Sequence, residues 1–302
     1  MKKLFLVILL LFSSSFGMEI IKVKDDIYMT RGTDGLPSLK NKGFISNCYG
    51  VLTKEGWFVV DSLSTPELSS QFLKELKKIK NVPVKYLVIT HYHQDHWYGA
   101  QTYKKEGAII IGHEVLREIF ENGTAEMMLE TANKMTKGLY KNVKLIPPDV
   151  TISKEKTIKL GEKEFKIFPL TPAHTNSDIV VYIPDKKIIF VGDLVFYKRI
   201  PFAGDRNSDT RNWINVLNKL KKIDINIILA GHNKPLNKNS IDFTVEYLSF
   251  LRNKISEMKD EDLSYDEIKQ KLTDTPYKKY QMYEVFHFKN IYKIYNDLDL
   301  EF

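Results

Sequence analysis

Cysteine is nearly absent from this chain. Cys48 is the only one in 302 residues, so no internal disulfide can form. A lone thiol between strand-like runs, at Asn47-Cys48-Tyr49, reads as a buried core residue and not as a nucleophile. Long apolar runs are missing as well. The stretch from Leu4 to Phe12 falls well short of the ~20 residues that a membrane span needs. Nor is there a strong charge of one sign: 45 Lys and Arg stand against 38 Asp and Glu, a formal +7. Clusters such as Lys74-Glu75-Leu76-Lys77-Lys78 read as solvated helix faces. No basic stripe interleaved with aromatics is visible, which excludes nucleic acid as the expected partner. With 43% hydrophobic and 27% charged residues, the composition is that of an ordinary globular protein long enough to bury a full core.

The start of the chain is patterned. Met1-Lys2-Lys3 precedes the short apolar segment, and Ser13-Ser14-Ser15-Phe16-Gly17 closes it. A charged start, an apolar middle and a small-residue end read as a secretory signal peptide over residues 1–17. The mature chain is then expected in the periplasm or outside the cell, with no stable membrane anchor. No cysteine follows closely enough for a lipoprotein.

Seven histidines occur, and three of them fall in Thr90-His91-Tyr92-His93-Gln94-Asp95-His96-Trp97. This run follows the strand-like Val84 to Ile89. On an extended stretch side chains alternate faces, so His91 and His93 project to one side and could grip one cation. Where the strand gives way to a helix, Asp95 and His96 could meet a second. The other ligand-type residues also sit behind apolar runs: His174 after Leu170, Asp193 after Ile188 to Gly192, and His232 after Ile227 to Gly231. Ligands at several strand ends converge on one edge of a sheet. His113 and His287 have no such company and read as structural or packing residues. Asp61 ends another strand, where it is either a partner orienting a metal-bound imidazole or an acid preceding a helix.

This ordered set, His-x-His-x-Asp-His followed by a lone His, a lone Asp and a late Gly-His, resembles the metallo-β-lactamase superfamily. The resemblance implies an α/β fold, a four-layer αββα sandwich over residues 18–238. Apolar positions from Phe243 to Ile255 at helical spacing then suggest a helical extension over 239–302 packed on it. Carried over, His91, His93 and His174 would hold one zinc ion and Asp95, His96 and His232 a second, with Asp193 between them. Iron or manganese would also suit carboxylate and imidazole ligands. The run from Gly192 through Arg199-Ile200-Pro201-Phe202 to Trp213 is similar to periplasmic zinc metallohydrolases that accompany quinoprotein and sulfur-oxidation systems, which would add a redox-system partner.

Two zinc ions about 3.5 to 4 Å apart can share a hydroxide formed near neutral pH. Asp95 is the residue placed to orient it and to pass a proton to the leaving group. The expected function is hydrolysis of an acyl bond, a thioester, ester or lactam, in a small-molecule substrate. The alternatives are a true β-lactamase and a non-catalytic periplasmic accessory protein of a redox system. Lys198 and Arg199 are candidates to bind a substrate anion, with surface solvation the alternative. Trp97 is a candidate to meet substrate, with packing the alternative.

Overall fold

The computed structural model describes residues 18–300; the signal segment expected over residues 1–17 lies outside them. The first seven strands pair in chain order into one sheet: β1 (Ile21–Lys24), β2 (Ile27–Thr30), β3 (Cys48–Thr53), β4 (Gly56–Val60), β5 (Val84–Val88), β6 (Ile109–His113) and β7 (Val150–Ile152). Strands β1 to β4 run antiparallel, and β4 to β7 run parallel. Parallel neighbours need crossovers. These are supplied by α1 (Pro66–Ile79), by α2 (Gln94–Trp97) with α3 (Ala100–Lys105), and by α4 (Glu114–Glu121) with α5 (Thr124–Met135). A second sheet has the order β12-β11-β10-β9-β8, from β8 (Lys156–Leu160), β9 (Lys163–Pro169), β10 (Ile179–Ile183), β11 (Ile188–Gly192) and β12 (Ile227–Ala230). Its one parallel pair, β11 with β12, is joined through α6 (Thr210–Leu220). The chain closes with α7 (Ile241–Asp260), α8 (Tyr265–Lys271) and α9 (Tyr283–Leu300).

Burial separates these elements into four layers. Between the sheets lie Met29, Val51, Phe58, Phe165, Ile167, Val181 and Phe190, with the Phe58 and Phe165 rings stacked 3.9 Å apart. Outside the first sheet, Leu68, Phe72, Leu73 and Leu76 of α1 pack on Trp57, Val59 and Leu87. Outside the second, Trp213, Leu217, Tyr247, Leu248 and Ile291 seal α6, α7 and α9 onto β11 and β12. This is the expected αββα sandwich, with the C-terminal helices packed on its second sheet. Cys48 is fully buried. Among the described residues no helix is long and apolar enough to cross a membrane.

Local chemistry explains the boundaries. Thr65 caps α1 by accepting from Leu68 N at 3.3 Å, and Pro66 opens it where no amide proton is needed. The helical stretch after the histidine run is two helices, α2 and α3, broken at Tyr98-Gly99. A Cβ on Gly99 would lie 2.0 Å from Ser62 O and 1.8 Å from Ser69 Oγ, so the backbone there is pressed against the loop after β4. The strand expected from Val84 to Ile89 ends at Val88, and Ile89 to His93 form a loop. Facing of His91 and His93 is therefore set by loop hydrogen bonds and not by strand alternation.

Candidate metal centre

Five loops reach the same edge of the sandwich. The loops after β4 and β5 bring Asp61 and the histidine run, and those after β11 and β12 bring Asp193 and His232. The β9–β10 connection brings His174. The ligand-type atoms form two groups, His91, His93, His174 and Asp193 in one and Asp95, His96 and His232 in the other, each with its atoms within 4.8 Å of one another. Asp193 touches both: its Oδ2 lies 3.6 Å from His174 Nε2 and 3.0 Å from His232 Nε2, and its Oδ1 lies 3.4 Å from His96 Nε2. Gly231 is required for this approach, because a Cβ there would stand 2.1 Å from Asp193 Oδ1 and 2.7 Å from His96 Cε1.

Hydrogen bonds on the far side of the rings fix how four imidazoles face inward. Asp61 Oδ1 accepts from Thr90 N at 2.8 Å, and its Oδ2 accepts from Thr90 Oγ1 at 3.0 Å and from His96 Nδ1 at 2.8 Å. With its proton given to Asp61, Thr90 Oγ1 accepts from His91 Nδ1 at 3.1 Å. One buried carboxylate thus leaves Nε2 of both His91 and His96 as lone-pair atoms. Of the two readings open for Asp61, the orienting one matches its contacts. Asp205 Oδ2 accepts from His93 Nε2 at 3.0 Å, which turns His93 Nδ1 toward His174 Nε2, 3.0 Å away. His232 donates Nδ1–H to Ile45 O at 2.8 Å. His174 is held by packing, with Trp213 at 5.3 Å between ring centroids.

Charge is arranged to match. Burial drives His91 well below the ordinary imidazole range, helped by His96 and His93. His174 falls to about 3 by burial and the proximity of His93, so both rings are neutral. Burial also opposes charge on His96, yet Asp95, Asp193 and Asp61 together push that ring well up, so the local field favours a positive charge. Asp95 is held at about 2 because His96 and His232 outweigh its burial. His91 Nε2, His96 Nε2 and Asp193 Oδ1 are buried without a hydrogen-bond partner. Unsatisfied lone pairs converging in a field that favours positive charge are what a metal-binding group requires.

A family model described as the metallo-beta-lactamase superfamily matches residues 41–232. The chain belongs to that superfamily. It is 23% identical over 246 residues to the metallo-beta-lactamase type 2 of Elizabethkingia meningoseptica, covering 78% of this chain and 89% of that protein. It is 21% identical over 261 residues to a linear primary-alkylsulfatase of Pseudomonas sp., covering 74% of this chain and 49% of that protein. Among solved structures, a metallo-beta-lactamase from Pontibacter korlensis aligns with a TM-score of 0.62 at 21% identity, over 77% of this chain and 99% of that one. The inverting sec-alkylsulfatase Pisa1 of Pseudomonas sp. aligns with a TM-score of 0.75 at 17% identity, over 93% of this chain and 50% of that one. This chain spans about half the length of either alkylsulfatase. The curated relatives are hydrolases, and this member of the superfamily is an enzyme of that class with a His/Asp cluster suited to metal ions.

The remaining sequence candidates separate. Arg199 is 2% exposed and lines the cavity over the centre, with Nη1 donating to Asp34 Oδ1 at 2.7 Å. Lys198 does not join it. That side chain is exposed, its ammonium 5.3 Å from the centroid of the Tyr197 ring, because the backbone at Lys198 turns through a left-handed conformation (φ 54°). Trp97 is corrected to a packing residue: it is buried, and its indole N–H donates to Ile146 O at 2.8 Å. His113 caps α4 by accepting from Val115 N, and His287 is buried between Tyr247 and Leu272 O. Sequence reasoning missed Asp205 and Asp34, for neither stands in a motif.

Proposed function

We propose that this chain is a dinuclear metal-dependent hydrolase that cleaves an acyl bond, a thioester, ester or lactam. The observation that carries the reading is Asp193, whose carboxylate reaches both halves of the ligand cluster, with Oδ2 near both His174 Nε2 and His232 Nε2 and Oδ1 near His96 Nε2. In this reading His91, His93 and His174 hold one ion, and Asp95, His96 and His232 hold the other. Metal ions bound there supply Lewis acidity and a nucleophile from water near neutral pH; zinc fits this donor set, as do iron and manganese.

The chain's own groups supply the rest. Neutral His91 and His174 offer lone pairs without first losing a proton. Asp95, ionised at neutral pH, accepts a hydrogen bond from the attacking water and orients it toward the carbonyl carbon. It then relays that proton to the leaving atom. Asp61 and Asp205 keep the imidazoles in the tautomers that leave lone pairs facing inward.

The leading apolar segment supports export, with the hydrolase unit running to residue 238 and the helices from 239 onward forming an extension. The run from Gly192 to Trp213 supports a place beside quinoprotein or sulfur-oxidation systems. Relatives named as β-lactamases favour β-lactam hydrolysis as a second reading, and those named as alkylsulfatases favour a sulfate ester. Metal analysis of protein prepared without chelator tests the centre. About two ions per chain are expected, with chelator-sensitive turnover in a panel of thioesters, esters, lactams and sulfate esters that His174→Ala abolishes. Less than one ion per chain after loading with excess zinc, iron or manganese would overturn it.

A further inference from the structure

The cavity above the cluster has a volume of about 300 Å³, at the small end of ligand pockets, and its walls differ in chemistry. One wall comes from α5 and the loop before β3. Met128, Met135, Leu36 and Pro37 line it, and Met135 and Leu36 are 79% and 51% exposed. Large side chains left in water at the mouth of a cavity are costly unless something apolar covers them, and unbranched methionines adapt to chains of varied shape. The other wall, on the side of the second sheet, carries Phe202 and Phe286 together with two cations, Arg199 and Lys289.

These cations differ in their commitments. Arg199 gives Nη1 to Asp34, but its buried Nε has no partner. Burial pulls the guanidinium down, opposed by Asp34, Asp193 and Asp95, so it stays charged. Lys289 is exposed and enters no ion pair among the described residues. A guanidinium with an unpartnered donor and an ammonium outside any ion pair, both lining one cavity, suit an oxyanion.

Resting on the hydrolase reading, we propose that the substrate is an amphiphilic anion, its alkyl or acyl chain against Met128, Met135 and Leu36 and its anionic group between Arg199 and Lys289. The bond to be cut then lies over the ligand cluster, between the two anchors.

The test is calorimetric titration of the metal-loaded full chain with linear alkyl sulfonates of four to ten carbons, kept below their micelle concentrations. Affinity is expected to rise about two- to fourfold per added methylene, the upper figure being that for a fully buried one. An alkyltrimethylammonium of equal length is expected to bind at least tenfold more weakly than the sulfonate. Lys289→Met should lower sulfonate affinity by about two- to fivefold, as for one exposed charge pair, leaving the chain-length slope intact. The double variant Met128→Ser/Met135→Ser should flatten the slope, with unchanged circular dichroism showing that the fold is kept. Equal affinity across the series, equal binding of the cationic and anionic chains, or an unchanged slope in the serine variant would each overturn the inference. So would a chain dimer that the serine variant dissociates while the slope stays the same, since the apolar edge would then serve self-association. Turnover on the same preparation separates the two readings. Protein that binds the series but hydrolyses nothing in the panel overturns the hydrolase, whereas turnover of short uncharged esters without any chain-length preference overturns the amphiphile.

Discussion

Asp205→Asn is expected to damage metal binding although it alters only one atom of a side chain outside the ligand groups. Asp205 Oδ1 accepts from Tyr92 Oη at 2.7 Å and from Asn207 N at 2.8 Å, while Oδ2 accepts from His93 Nε2 at 3.0 Å. In the variant the amide oxygen must stay where two donors already point. Its NH2 group then faces His93 Nε2, which must become an acceptor, and the ring proton moves to Nδ1. That is the atom facing His174 Nε2, so a protonated nitrogen would replace a lone pair in the His91, His93 and His174 group. Loss of such an orienting partner weakens metal binding by about 10- to 100-fold, equivalent to about 1.4 to 2.8 kcal/mol. Competition against a chromogenic chelator at pH 7.5 measures it directly, with circular dichroism as the control for folding. Retention of affinity within a factor of about two would refute the tautomer argument.

Gly231→Ala should lower metal content more than tenfold and cost about 1 to 3 kcal/mol in urea denaturation, because the new methyl group overlaps Asp193 and His96; wild-type metal content would contradict the close approach. For His287, burial holds the ring at about 4, and the bond to Leu272 O only partly opposes this. A histidine with a depressed folded value gives stability that is present above its unfolded value near 6.5 and lost as pH falls through the folded one. Between pH 7 and 4.5 this amounts to about 2 to 3 kcal/mol of the wild-type loss, and His287→Phe should show a shallower pH dependence of its urea midpoint. Equal slopes would show that the ring does not titrate in this way.

The convergence of the His and Asp residues into one cluster was legible because each follows an apolar run, and a strand's end is a local signal. The four-layer arrangement was legible through the family resemblance that those residues carry, and alternating strands and helices are consistent with it. Asp205 was not legible: it lies 112 residues from the imidazole it holds, and no spacing rule joins them. Trp97 misleads because adjacency to the motif suggests exposure to substrate, whereas the short helix α2 turns it inward to Ile146 O. Lys198 and Arg199 are neighbours in sequence with opposite fates, decided by a single left-handed backbone turn that the residue types do not announce. The break at Gly99 depends on a close approach to Ser62 and Ser69, a tertiary fact that overrides the helical pattern around it.

The seam between the sheets has a further consequence. Asn47 Nδ2 donates to Ala230 O and Asn233 O, its backbone N donates to Gly231 O, and Tyr49 Oη donates to Ala230 O, so the first half of the chain stitches the loop that carries His232. Each of the two ligand-type groups then draws on both halves, and a fragment ending near residue 154 would own four of their seven side chains and neither complete group. Uptake of a cation would thus act as a coincidence detector, registering only polypeptides whose two halves have docked.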